Sequence, residues 1–313
     1  MKTSLSRRSA LRKIAGSAAV LGAVSKFGSS GALTAAETER SGHLVDIKVE
    51  HADPRKAMRS GNINHSVCRW CYNKISLDEL CRAGKEMGLQ SVELQGPNDW
   101  PVIQKHGLTI AMVSLPDVNI PVGFNRLENH DKLVASFESG IPKAANAGLH
   151  NIICFSGNRA GLDDQKGIEN CAIGLKRLMP LAEKHKINIV MELLNSKVDH
   201  HDYQCDHTAW GVELCKAVGS ERFKLLYDIY HMQIMEGDVI RTIKKNHQYI
   251  AHYHTGGVPG RNEIDESQEL HYPAIMKAIM ETGYKGHVAQ EFIPKRPDAL
   301  ASLKQGVDIC DVI

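Results

Sequence analysis

The chain has no uninterrupted apolar run of about 18 residues, the minimum for a membrane-crossing helix, so stable membrane insertion is not expected. It has almost no excess charge. Its 38 Lys and Arg stand against 36 Asp and Glu, a formal net charge of +2. The clustered basic face of a nucleic-acid binder is missing, and no nucleic-acid partner is expected. No Gly-x-Gly-x-x-Gly follows the first strand-like run, which argues against a dinucleotide site. Cys68-Arg-Trp-Cys71 has the spacing of half a zinc ribbon or of a redox pair, but no second close pair completes it. The eight cysteines are scattered through strand-like and helix-like runs, and they read as structural thiols. What is present is a 42% hydrophobic and 24% charged chain, which can bury a large core and is not globally disordered.

Residues 1–36 read as an export signal. Ser6-Arg-Arg-Ser-Ala-Leu-Arg12 resembles the twin-arginine pattern, with Ala10 where that pattern usually has Phe. The apolar run Ile14–Val24 fits a signal h-region, and Thr34-Ala-Ala36 offers small residues for cleavage. The expected partner is the twin-arginine export machinery, and the expected destination is the periplasm or beyond. That route carries folded proteins, so a cofactor can be loaded first and the thiols need not pair. Residues 37–60 are polar, lack periodicity and read as a linker.

From residue 61 onward a grammar repeats: short apolar run, polar end, helical run. Strands are expected at Ile63–Val67, Ser91–Leu94, Leu108–Ser114, Asn151–Phe155, Asn188–Glu192, Phe223–Asp228, Tyr249–His254 and His287–Glu291. Helices are expected at Leu77–Met87, Asn129–Ala147, Asp164–Lys186, His207–Val218, Gly237–His247, Tyr272–Thr282 and Asp298–Cys310. Eight such units predict an α/β fold, a single-domain (β/α)8 TIM barrel over residues 61–313; an open doubly wound sheet is the alternative.

Four of these strands end on Glu192, Asp228, His254 and Glu291. Strand ends are where chemistry gathers in parallel α/β folds. Three carboxylates and one imidazole suit a divalent metal, Mg²⁺ or Mn²⁺, with Co²⁺ also compatible. Two octahedral positions then remain for adjacent oxygens of an α-hydroxy carbonyl compound. Glu192 and Glu291, from different sectors of the rim, are the candidate catalytic pair for taking a proton from carbon and returning it. His231 and Arg261 sit just past their strands as candidate substrate-binding residues. Each has a blander reading: Glu as a cap or ion-pair partner, His254 as a core histidine beside His252, His231 and Arg261 as solvated loop charges. Glu93 is either a salt-bridge partner or a substrate contact. Trp70 and Trp100 are either pocket walls or core.

Met191-Glu-Leu-Leu-Asn195, Tyr227-Asp-Ile-Tyr-His-Met-Gln233, Gly257-Val-Pro-Gly-Arg-Asn-Glu263, Gln268-Glu-Leu-His-Tyr272 and Gly283-Tyr-Lys-Gly-His287 resemble segments of hydroxypyruvate isomerases. These enzymes belong to the wider xylose-isomerase-like barrels, together with ketose 3-epimerases and endonuclease IV. The resemblance spans about residues 60–313 and is most specific from Glu192 onward. It implies a (β/α)8 barrel and a metal on Glu192, Asp228, residue 254 and Glu291. It also implies proton transfer by Glu192 and Glu291, and substrate contact by His231 and Arg261. The default reaction is hydroxypyruvate to 2-hydroxy-3-oxopropanoate through an enediolate.

Two departures bear on the substrate. Hydroxypyruvate isomerases often have Gln where His254 stands, and ketose epimerases often carry a further Glu near Val198. A keto-sugar 3-epimerase, a lyase or dehydratase on the same site, and a non-catalytic sugar-binding barrel therefore stay open, as does self-association. Endonuclease IV fits poorly. Its extra metal ligands are absent from Met112-Val-Ser114 and Cys154-Phe-Ser156, and Arg261-Asn-Glu263 replaces its Asp-x-His.

Overall fold

The computed structural model describes residues 59–313. The export segment, and the linker apart from Arg59 and Ser60, lie outside the described residues. In chain order the elements are β1 (Asn64–Cys68), α1 (Leu77–Met87), β2 (Ser91–Glu93), α2 (Trp100–Lys105), α3 (His130–Asn146), β3 (Asn151–Cys154), α4 (Asp164–His185) and β4 (Asn188–Leu193). Then follow α5 (Thr208–Val218), β5 (Phe223–Asp228), α6 (Ile229–Met235), α7 (Val239–Asn246), β6 (Ile250–Thr255), α8 (Tyr272–Glu281), β7 (His287–Gln290) and α9 (Ala299–Cys310).

Local chemistry places many of these boundaries. Ser76 caps α1 by accepting from the Glu79 backbone N–H at 3.2 Å, and Gly88, with φ of 89°, ends the helix in the left-handed region. Asp163 caps α4 in the same way, accepting from Lys166 N–H at 2.9 Å. Arg59 and Ser60 are tied to the end of the chain. Arg59 Nη1 reaches Asp308 Oδ1 at 2.6 Å, and Ser60 Oγ reaches Asp311 Oδ1 at 2.6 Å.

The strands form one parallel sheet in the order β2-β1-β7-β6-β5-β4-β3. Residues 109–113 bridge its two ends through Ser91–Thr109, Gln95–Val113 and Val113–Ile152. The sheet therefore curls into a barrel, and the open doubly wound alternative is excluded. The third expected strand, Leu108–Ser114, appears only as these isolated bridges. Its regular ladder is broken where Ala111 N–H donates to Ser91 Oγ at 2.8 Å. Two short helices, α2 and α6, were not expected from the sequence. No helix of the described residues is long and apolar enough to cross a membrane. All eight cysteines are free.

Register aligns the functional face. Glu192 pairs with Leu226, and Asp228 lies two residues further on, so both point the same way by the two-residue strand period. A register shift between Leu225 and Leu226 sets Asp228 opposite His254. His254 pairs with Ala289, two residues before Glu291, and Glu291 N–H prolongs the ladder onto Thr255 O at 3.0 Å. The four side chains thus face the barrel interior at the carboxyl ends of four adjacent strands.

One close backbone approach supports the mouth. Residues 123–125 run against 155–157, with Asn125 N–H donating to Ser156 O at 2.8 Å. A Cβ on Gly123 would lie 2.2 Å from Gly157 N. Gly123→Ala is expected to destabilise the fold by about 1–3 kcal/mol, as overpacking does. A urea midpoint equal to that of the parent would contradict this packing account.

Candidate metal centre and its cavity

Glu192, Asp228, His254 and Glu291 come together. One ligand atom from each lies within 4.8 Å of the others, and all four residues are buried. His254 Nδ1 is 2.9 Å from Glu291 Oε2 and 3.3 Å from Glu192 Oε1. Arg261 closes the cluster from above. Its Nη2 lies 2.5 Å from Glu291 Oε2 and 3.2 Å from Asp228 Oδ2. Its guanidinium is held between the rings of Trp70 and Tyr230, each centroid 5.1 Å away. Trp70 Nε1–H also donates to Glu291 Oε1 at 2.8 Å.

Asp228 serves two purposes. Its Oδ1 accepts from Tyr230 N–H at 2.8 Å and His231 N–H at 3.3 Å, capping α6. Its Oδ2 is left facing the cluster. His231 is fully buried. Its Nδ1 accepts from the Asn195 backbone N–H at 3.1 Å, and the Asn195 side-chain Nδ2 lies 2.6 Å away. The ring proton therefore belongs on Nε2, 3.4 Å from Asp228 Oδ2 but too poorly aligned for a hydrogen bond. Burial and the Arg261 charge hold the His231 imidazole well below its usual pKa, so it is neutral.

Burial pushes the carboxyls of Glu192 and Asp228 upward. Glu291 is equally buried, yet the neighbouring His254 and Arg261 hold it well below the usual carboxylate range. Three buried carboxylates thus face one guanidinium and one imidazole. Glu192 Oε1 lies close to His254 but has no aligned hydrogen-bond donor. This shortage of positive charge, together with an orphaned buried oxygen, fits a divalent cation held by the four side chains.

A cavity of about 400 Å³ opens directly onto the cluster. Glu192, Glu291, Arg261 and His200 form its polar side, while Leu94, Ile120, Ile153, Phe155 and Leu194 form an apolar wall. Asp228 and His254 do not line it, but touch the lining residues Arg261 and Glu291. A larger groove of about 780 Å³ between residues 70–75 and 293–300 contains none of the three acids or the imidazole. Trp70 lines the cavity, but Trp100 is a core residue whose Nε1–H donates to Gln95 O at 3.0 Å. Arg261 is buried and ion-paired rather than a solvated loop charge. Glu93 is buried and does not line the cavity. The sequence reading missed His200 and the apolar wall. Several of the wall residues sit at or just past strand ends, which was the available signal.

The xylose isomerase-like TIM barrel family profile matches residues 82–310, and the chain belongs to that family. A 2-oxo-tetronate isomerase of Cupriavidus necator is 34% identical over 109 residues, which cover 35% of this chain and 41% of that enzyme. A putative hydroxypyruvate isomerase of Drosophila melanogaster is 25% identical over 230 residues, covering 70% of this chain and 87% of that protein. The crystal structure of an AP endonuclease, family 2, from Brucella melitensis superposes with a TM-score of 0.70 at 23% identity, covering 79% of this chain and 98% of that one. That last likeness shows the fold alone.

Mn²⁺ is expected to stabilise the protein by about 2.7 kcal/mol when present at a hundredfold its Kd, and EDTA to remove that gain. Asp228→Asn should lose most of the effect. Identical thermal midpoints with millimolar Mn²⁺ and with EDTA would rule out the centre.

Proposed function

We propose that this chain is a metal-dependent isomerase of small α-hydroxy carbonyl compounds, an intramolecular oxidoreductase of the hydroxypyruvate isomerase type. One observation carries the reading: two carboxylates, Glu192 and Glu291, edge the same small cavity above a cluster suited to a divalent cation. The two curated relatives, one a 2-oxo-tetronate isomerase and one a putative hydroxypyruvate isomerase, support the same class of reaction.

Glu192, Asp228, His254 and Glu291 would hold the cation, with Mg²⁺ or Mn²⁺ suiting the donors best. A bound divalent cation would supply Lewis-acid polarisation of the substrate carbonyl and offset the charge of an enediolate. Glu192 and Glu291 act as the proton-transfer pair: one takes a proton from the hydroxyl-bearing carbon, the other gives a proton to the former carbonyl carbon, and the hydroxyl proton passes to the former carbonyl oxygen so that the two functions exchange places. Within the proposal His231 is a substrate-binding residue; its Nε2 lies 3.4 Å from Asp228 Oδ2, and its ring does not line the cavity. Arg261 binds the oxygen-rich end of the substrate and keeps Glu291 ionised. Trp70 and the apolar wall exclude water from the reacting face.

Hydroxypyruvate is the first substrate to test. A second reading, a keto-sugar, is favoured by the cavity, whose 400 Å³ exceed what a three-carbon acid fills. Glu192→Gln and Glu291→Gln are each expected to lower deuterium incorporation from D₂O into substrate by at least about 10²-fold, the usual scale for losing a general base. Wild-type exchange in either folded variant would end the assignment. Absence of exchange in the parent, across hydroxypyruvate and common ketoses with Mg²⁺ or Mn²⁺, would favour a binding protein.

Export through the twin-arginine route is part of the proposal and rests on Ser6–Arg12 and the apolar run after it. Replacing Arg7 and Arg8 with Lys should leave the protein in the cytoplasmic fraction. Unchanged periplasmic recovery would exclude the route.

A further inference from the structure

Beside the metal cluster lies a second polar cluster that the proposed reaction does not use. Glu93, the last residue of β2, is completely buried, and its described partners include no Lys or Arg. Its Oε1 lies 2.7 Å from His252 Nε2 and 3.0 Å from His254 Nε2. Its Oε2 accepts from Ser66 Oγ at 2.5 Å. Cys68 pairs with Glu93 in the sheet, and its Sγ sits 3.7 Å from His254 Nε2. These groups are buried against Nε2 of His254, whose Nδ1 faces the metal cluster.

We propose that Glu93 is a positioning residue that fixes the tautomer and ring orientation of His254, so that Nδ1 presents a lone pair to a cation. The inference rests on the cation site proposed above. His254 has its Nδ1 among Glu291 and Glu192 and its Nε2 against Glu93. A neutral imidazole carries one ring proton. If Nδ1 is to bind a cation, that proton must sit on Nε2, where a buried N–H needs an acceptor. Glu93 Oε1 is that acceptor. A carboxylate in this place also makes the ring a stronger base toward the metal, as outer partners of ligating histidines do. His252 wedges the arrangement. It bonds the same oxygen, and its ring meets that of His254 edge to face, 5.1 Å apart at 86°.

The rival reading makes Cys68, Glu93 and His254 a second cation site, since their ligand atoms also lie within 4.8 Å of one another. It fits less well. Both Glu93 oxygens already accept hydrogen bonds, and burial pushes the Cys68 thiol well up, away from the thiolate that a metal needs. A purely structural role, in which Glu93 only pairs with His252 and Ser66, is the other rival.

The test compares the parent with Glu93→Gln and Glu93→Leu, each checked for folding by circular dichroism and thermal midpoint. Mn²⁺ is titrated calorimetrically, and the histidine tautomers are read from ¹⁵N spectra of histidine-labelled protein, with His254→Asn assigning the signal. Gln keeps the length and one carbonyl acceptor but drops the charge. It should preserve the Nε2–H tautomer and weaken Mn²⁺ binding up to about tenfold, whereas Leu should lose the tautomer and weaken binding about 10–100-fold. One Mn²⁺ per chain is expected. Lowered thermal midpoints with unchanged Mn²⁺ affinity and tautomer would leave Glu93 merely structural and overturn the proposal. Two equivalents of Mn²⁺, one lost in the Glu93 variants, would overturn it in favour of the second site. A parent that binds no Mn²⁺ overturns the cation site itself and this inference with it. If Leu does not fold, Gln alone decides by its affinity.

Discussion

Three carboxylates buried at the ends of parallel strands repel one another, and the fold must compensate that repulsion. Glu192, Asp228 and Glu291 sit within a few ångströms of each other and away from bulk water. Removing one partner from such a set commonly costs about 3–5 kcal/mol, because the remaining charge is stranded. Arg261, His254, the cap on α6 and Trp70 are all arranged around that problem. The barrel supplies the rigid frame. Helices outside and a closed ring of strands leave the acids no room to drift apart.

Most of the frame was legible in the sequence because strand ends, caps and glycines mark the same boundaries. Ser76 and Gly88 bracket α1, which covers the expected Leu77–Met87. The four clustered residues could be picked out because each closes an apolar run, and a two-residue period puts them on one face. Residues 108–114 were harder. Their apolar composition reads as a strand, but Ser91 Oγ takes the Ala111 N–H that a ladder carbonyl would have taken. The helix α6 was hidden because Asp228 looks like a strand-end acid and is also that helix's cap. Glu93 was ambiguous because partners 159 and 161 residues away decide its surroundings.

Arg261 shows how a loop can be made as exact as a strand. Its φ of 56° lies in the left-handed region, unusual for a long side chain and costly by about 1–3 kcal/mol. The rings on both sides, the two carboxylates and the Glu291 carbonyl, 3.3 Å from Nε, hold it there. An extended backbone at this position would carry the guanidinium away from the acids. The strain is therefore tied to the charge compensation with which the site begins.

Asp228 binds the start of a helix and the edge of the cluster with one carboxylate. A rotation of that group toward a ligand would loosen its hold on the Tyr230 and His231 amide hydrogens, and a rotation back would restore it. Those two amide hydrogens are therefore built-in reporters. The rate at which they exchange with solvent registers how the carboxylate is being shared, even when no substrate turns over.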